Sequence, residues 1–98
     1  MKQTAKQEHI RQLFEIIIKL DNIDDCQALF EDLCTVNELK AMSQRLVVAK
    51  MLSEGRVYSD IVEATGASTA TISRVKRSLE YGCDSYSLVF DRMDEASK

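Results

Sequence analysis

The sequence predicts an all-α protein of six helices. Three observations carry that reading. Proline is absent and glycine occurs only at Gly55, Gly66 and Gly82, so the chain has few breakers. Apolar residues recur three and four positions apart over most of its length. Capping side chains (Thr, Asp, Ser) stand where those periodic runs begin. With 98 residues, 45% of them hydrophobic, the chain is read as one globular domain, 1–98, and not as a disordered tail.

The first helix is expected from about Thr4 to Leu20. Ile10, Leu13, Phe14, Ile17 and Leu20 form its stripe, and Ile16 and Ile18 widen it beyond one face. A chain this short buries only about two-thirds of its unfolded surface. A second subunit is therefore expected against that helix, the alternative being a well-buried helix in a monomer. Asp24-Asp25-Cys26-Gln27 reads as the start of a second helix, with Cys26, Leu29, Phe30 and Leu33 inward. Thr35-Val36-Asn37-Glu38 has the form of a capping box for a third, running to Leu52 or Ser53. Its stripe is Leu39, Met42, Leu46 and Ala49, and Gly55 suits the position just beyond it. A short helix follows, Ser59–Thr65, with Ser59 as N-cap and Gly66 as terminator. Ser68 caps the next, Thr69 to Glu80, which Gly82 closes. Ser85 is expected to cap a last helix over 85–94, with a frayed tail behind it.

Several function classes are excluded by composition. The longest apolar run, Ile16-Ile17-Ile18, cannot span a membrane, and no signal-type stretch follows the N-terminus, so a cytoplasmic protein is expected. Cys26, Cys34 and Cys83 are odd in number and form no C-x-x-C, and the single His9 is remote from them; neither a metal site nor a disulfide framework is expected. Cys26 and Cys34 fit small core positions. No paired carboxylates or nucleophile with a base suggest an enzyme, and no catalytic residue is assigned.

The net charge of −3 conceals an uneven distribution. Residues 1–63 carry eight Lys/Arg and eleven Asp/Glu, and residues 80–98 carry two and five. Residues 64–79 carry Arg74, Lys76 and Arg77 with no acid. The same stretch holds the most informative pattern. Two short helices are joined at Gly66-Ala67-Ser68, where glycine supplies a positive φ. Ile61, Val62, Ala67, Ile72 and Val75 are the expected inward positions of a helix-turn-helix spanning 58–80. Its second helix would then expose Thr69, Ala70, Thr71, Ser73, Arg74 and Arg77. Small residues near the helix start allow close approach to base edges, and cations further on suit phosphates or guanine. Ser59, Ser68, Thr69, Ala70, Thr71, Ser73, Arg74 and Arg77 are the candidate DNA-binding residues. A helical hairpin used only for protein contacts is the alternative.

Gly66-Ala-Ser-Thr-Ala-Thr-Ile-Ser-Arg74 closely resembles the recognition segment of the bacterial tryptophan repressor family. Thr35-Val-Asn-Glu-Leu-Lys-Ala-Met-Ser-Gln-Arg45 and Leu52-Ser-Glu-Gly55 resemble its upstream block. The Gly55-Arg-Val-Tyr-Ser-Asp-Ile61 run and the Tyr81-Gly82 ending look like the tryptophan-repressor-like branch of YerC/YecD type. The resemblance implies a tryptophan-repressor-like fold built as an intertwined homodimer. Residues 1–53 would supply the dimerisation helices, and two reading heads would face a palindromic operator in double-stranded DNA. It also implies an effector pocket at Thr35, Arg45, Thr71, Arg74, Val75 and Ser78. Val75 stands where the repressor has a glycine beside the indole, and overpacking of that kind costs about 1–3 kcal/mol. That argues against tryptophan; no cofactor is expected, and a different small molecule, or none, is left open. The reading is a sequence-specific transcriptional regulator, a repressor, acting as a homodimer.

Overall fold

The computed structural model describes residues 4–97, with side chains described from 4 to 95. Six α-helices follow one another: α1 (Ala5–Ile17), α2 (Ile23–Leu33), α3 (Val36–Ser53), α4 (Tyr58–Thr65), α5 (Thr69–Tyr81) and α6 (Ser85–Ser97). No strand occurs among the described residues, so the all-α class and the six helices are as expected. The chain groups into two compact units, one ending at Leu39 and one beginning at Lys40.

In the first unit each helix starts on a side-chain cap. Thr4 and Gln7 form a capping box on α1: Gln7 N–H donates to Thr4 Oγ1 at 3.1 Å, and Thr4 N–H to Gln7 Oε1 at 2.8 Å. The helix ends at Ile17, short of the expected Leu20. Lys19 and Leu20 bond back three residues, to the carbonyls of Ile16 and Ile17, so the last turn tightens. The chain is then drawn into extended backbone by Asn22 (φ −145°, ψ 157°), which caps α2. This corrects the expected Asp24 cap: Asn22 Oδ1 accepts from Asp25 N–H at 2.8 Å, two residues ahead of where Gln27 would have closed a box. Neither α1 nor α2 has a buried residue. Ile10, Phe14, Ile18, Ile23 and Leu33 all stand exposed.

The Thr35–Glu38 box is present as expected. Glu38 N–H donates to Thr35 Oγ1 at 3.1 Å, and Thr35 N–H donates to Glu38 Oε1 at 2.8 Å. Those bonds, the backbone one foremost, hold the Glu38 carboxyl below its ordinary pKa.

The second unit owns the core. Val48, Ala49 and Met51 of α3 meet Ile61 of α4, Ala67 of the turn, Ile72 and Val75 of α5 and Phe90 of α6. Of the stripe expected on α3 only Ala49 is buried; Met42 and Leu46 stay exposed, because the apolar neighbours gather on the Val48–Met51 side. Helix α3 ends in a Schellman arrangement, Arg56 N–H on the Met51 carbonyl and Gly55 N–H on that of Leu52. Helix α4 then begins earlier than expected. Ile61 N–H already bonds the Val57 carbonyl at 3.2 Å, so Val57 is the N-cap and Ser59 lies inside the helix. Gly82 closes α5 for a reason of space: it is extended, and a Cβ there would lie 2.3 Å from the Ser78 carbonyl oxygen. Ser85 is the first residue of α6 and not its cap; Leu88 N–H bonds the carbonyl of Asp84, which adopts φ 60°. The helix continues past the expected frayed point to Ser97. Lys50 of α3 meets this helix, its Nζ 3.8 Å from Asp94 Oδ1 and 5.0 Å above the Phe90 ring.

Glu38→Gln tests the capping box through pH. A carboxyl whose folded pKa is depressed contributes stability above its unfolded value and loses it as pH falls through the folded one. Glutamine can fill the same box without titrating. Urea denaturation of the wild-type chain should therefore weaken from about pH 4.5 downward more than that of the variant, with a constant difference between them above it.

Candidate nucleic-acid interface

The turn between α4 and α5 is held by side chains that point into it. Gly66 takes the left-handed conformation (φ 73°, ψ 5°), and its N–H bonds the Val62 carbonyl at 2.8 Å. Nothing lies within 4 Å of where its Cβ would be, so the constraint is conformation and not space. Thr65 sits at the centre of the turn. Its hydroxyl donates to the Ile61 carbonyl at 2.7 Å and accepts from Ala67 N–H at 3.1 Å. Gln44 Nε2, from α3, donates to the Thr65 carbonyl at 3.1 Å. Beyond it Ala67 is buried, and Ser68 Oγ caps α5 by accepting from Thr71 N–H at 3.1 Å.

Helix α5 therefore leaves the turn with a defined inner and outer side. Ile72 and Val75 are buried and Leu79 packs against them. Thr69, Ala70, Ser73, Arg74 and Arg77 are exposed, as is the Ser68 cap. Thr71 is half-buried, and its hydroxyl accepts from Ser68 Oγ at 3.1 Å. Ser59 is exposed near the start of α4. Ile61, Ala67, Ile72 and Val75 are inward as expected, but Val62 is not: it is 37% exposed.

The electrostatics of that outer side are simple. The first turn of α5 holds no acid, and its capping serine satisfies one of several free N–H groups. The ion pairs among the described residues are Arg11–Glu15, Lys50–Asp94 and Arg56–Asp60; none includes Arg74, Lys76 or Arg77. An acid-free helix start with unpaired cations along its outer side is suited to an anionic partner.

Of the six residues considered for an effector pocket, two share a cleft among the described residues. Arg74 and Ser78 line an open cleft of about 610 Å³ with Arg77, Tyr81 and Gly82. Val75 is 2% exposed and belongs to the core, not to that cleft. Arg45 is exposed on α3 and does not line it, and Thr71 is turned toward Ser68. Thr35 belongs to the other unit. No group of three or more His, Cys, Asp or Glu among the described residues could hold a metal ion. Gln44, Thr65 and Tyr58 escaped the sequence reading. Gln44 meets a carbonyl 21 positions away, beyond the reach of any local pattern.

The family model described as Trp repressor protein matches residues 8–94. The uncharacterized protein YerC of Bacillus subtilis (strain 168) is 51% identical over 88 residues, covering 90% of this chain and 85% of that one. A TrpR-like protein of Eubacterium eligens ATCC 27750 has a similar structure, with TM-score 0.87, 55% identity, and 89% and 90% of the two chains covered. A candidate Trp repressor of Staphylococcus aureus has TM-score 0.86 and 47% identity, with 95% and 96% covered.

Thr65→Val keeps the shape of the turn and removes the hydroxyl that Ala67 N–H and the Ile61 carbonyl share. Each lost hydrogen bond is worth about 1 kcal/mol. Urea unfolding should show a loss of roughly 1–2 kcal/mol, and the Ala67 amide should exchange with solvent faster than in the wild-type chain.

Proposed function

The chain belongs to the Trp repressor protein family, and from that membership we propose that it is a sequence-specific transcriptional repressor, acting as a homodimer on a palindromic operator. The family is one of DNA-binding regulators, not enzymes. The observation that carries the reading is the outer side of α5: short side chains and no acid in its first turn, and along it the cations Arg74, Lys76 and Arg77, with no ion pair among the described residues. Such a helix enters the major groove N-terminus first. Thr69 and Ala70 reach base edges, while Arg74 and Arg77 take phosphates. Bound at a promoter, the protein excludes polymerase.

The homodimer rests on the first unit. An apolar surface as extensive as that of α1 and α2, with no buried residue, is the kind a partner covers. A dimer would set two heads about one DNA turn apart, as helix-turn-helix dimers such as the Trp repressor do. Residues 1–98 then act as one domain, with the N-terminal helices as its dimerisation part. No described helix is long and apolar enough to cross a membrane, and a cytoplasmic location goes with promoter binding. Tryptophan is not needed in this reading, because the turn is tied by Thr65 and Gln44 and Val75 fills part of the core.

A mobility shift on genomic fragments, followed by selection from a random DNA pool, tests the whole reading; a chain that enriches no sequence does not read DNA. Within it, Arg74→Ala and Arg77→Ala should each weaken binding on all sequences and reduce the salt slope by about one. Ile17→Asp places a charge in the apolar stripe of α1 and should lower stability and subunit association together; a stable wild-type monomer in analytical ultracentrifugation would refute the dimer. Adding L-tryptophan should leave operator affinity unchanged; a tenfold gain, about 1.4 kcal/mol of coupling, would show that the pocket works as in the repressor.

A further inference from the structure

We propose that Tyr58, Ser73 and Lys76 form a phosphate clamp for the DNA backbone along the α4 edge of α5. The proposal rests on the DNA-binding reading and adds two residues that the sequence did not assign to DNA, Tyr58 and Lys76. The geometry comes first. At about 100° per residue, Ala70, Ser73 and Arg77 point away from the side buried through Ile72 and Val75. Ser73 and Lys76 lie toward one edge of that outer side, and Arg74 and Ser78 toward the other. A helix with its side chains is roughly 10–12 Å across and the major groove about 12 Å wide. Both edges of a helix seated there must therefore meet a row of phosphates. The second edge already has Arg74 and Arg77 beside its cleft. On the first edge the cation is Lys76, and Tyr58 reaches it from α4.

The chemistry fits an oxyanion. The Tyr58 hydroxyl lies 3.5 Å from Ser73 Oγ, and both groups are at the surface. That spacing is too long for a strong bond between two hydroxyls. It does allow both to donate to one oxygen placed about 2.7 Å from each. Lys76 Nζ stands 6.0 Å above the Tyr58 ring, at the outer limit of a cation–π contact, and it has no ion-pair partner among the described residues. Two hydroxyl donors thus meet from two helices, and Lys76, beside the Tyr58 ring on the same edge of α5, supplies an ammonium that can turn toward an anion held there. The Tyr58 ring packs against the core, which fixes where its hydroxyl can be. Phosphate contacts carry no sequence information, so the clamp would hold the register of the head and leave base choice to Thr69, Ala70 and Ser73's neighbours in the groove.

A labelled random-sequence duplex is a sufficient probe, since a backbone contact is sequence-independent. Tyr58→Phe keeps the ring and loses one donor. It should weaken binding about tenfold, with the salt slope unchanged, because a neutral group releases no counterion. Lys76→Gln should lower the slope by about one. Tyr58→Phe combined with Ser73→Ala should cost less than the sum of the single losses, because both hydroxyls serve one oxygen. Thermal melting of each variant separates lost contacts from lost fold. Wild-type affinity in a normally folded Tyr58→Phe chain, or an unchanged slope in Lys76→Gln, overturns the clamp and leaves the DNA-binding reading intact. A wild-type chain that binds no duplex overturns both.

Discussion

The orientation of α5 depends on how a four-residue turn satisfies its own backbone. Gly66 supplies the left-handed residue, but that alone would leave a hinge. Thr65 converts it into a joint by bonding backward to α4 and forward to Ala67, and Gln44 ties its carbonyl to α3. The buried Ala67 methyl and the Ser68 cap complete the corner. Everything outward on α5 inherits its direction from those few bonds. Turn polar groups satisfied by named side chains lose little freedom on binding, which is where preorganisation gains affinity.

The burial pattern of α5 sets what remains for function. One helix supplies both the core residues Ile72 and Val75 and the cations Arg74 and Arg77, which alternate along the chain but not around the axis. Val75 packs with Ile72 in that core and is 2% exposed. The protein's net charge of −3 matters less than where its acids are. Asp60 is engaged by Arg56 and Asp94 by Lys50, while among the described residues no carboxylate pairs with the three cations of α5.

Local rules were legible in the sequence and tertiary ones were not. The Thr35–Glu38 box, Gly66, the Ser68 cap and the burial of Ile61, Ala67, Ile72 and Val75 each follow from residue type and spacing. The cap of α2 was misplaced because Asn22 and Asp24 are both good caps, and only backbone geometry separates them. Val62 has an apolar side chain at helical spacing from the core, yet it stays 37% exposed and outside the buried cluster. The Lys50–Asp94 contact joins α3 to α6, and no window of sequence contains it. The proposed reading face needs only local pattern; the bonds that aim it come from α3.

The core of the second unit lies wholly between Val48 and Phe90. A core assembled from consecutive helices has low contact order, and such domains fold in microseconds to milliseconds. On the ribosome, however, the chain appears N-terminus first. Helices α1 and α2 emerge with their apolar stripes bare and no core of their own, and α3, α4 and α5 follow before Phe90 can close the unit. The last core residue to leave the ribosome, Phe90, is thus the one that completes the unit. Helices α1 and α2 precede that core in synthesis and bury no residue of their own, so a nascent chain presents their apolar side chains to chaperones and proteases before the second unit closes.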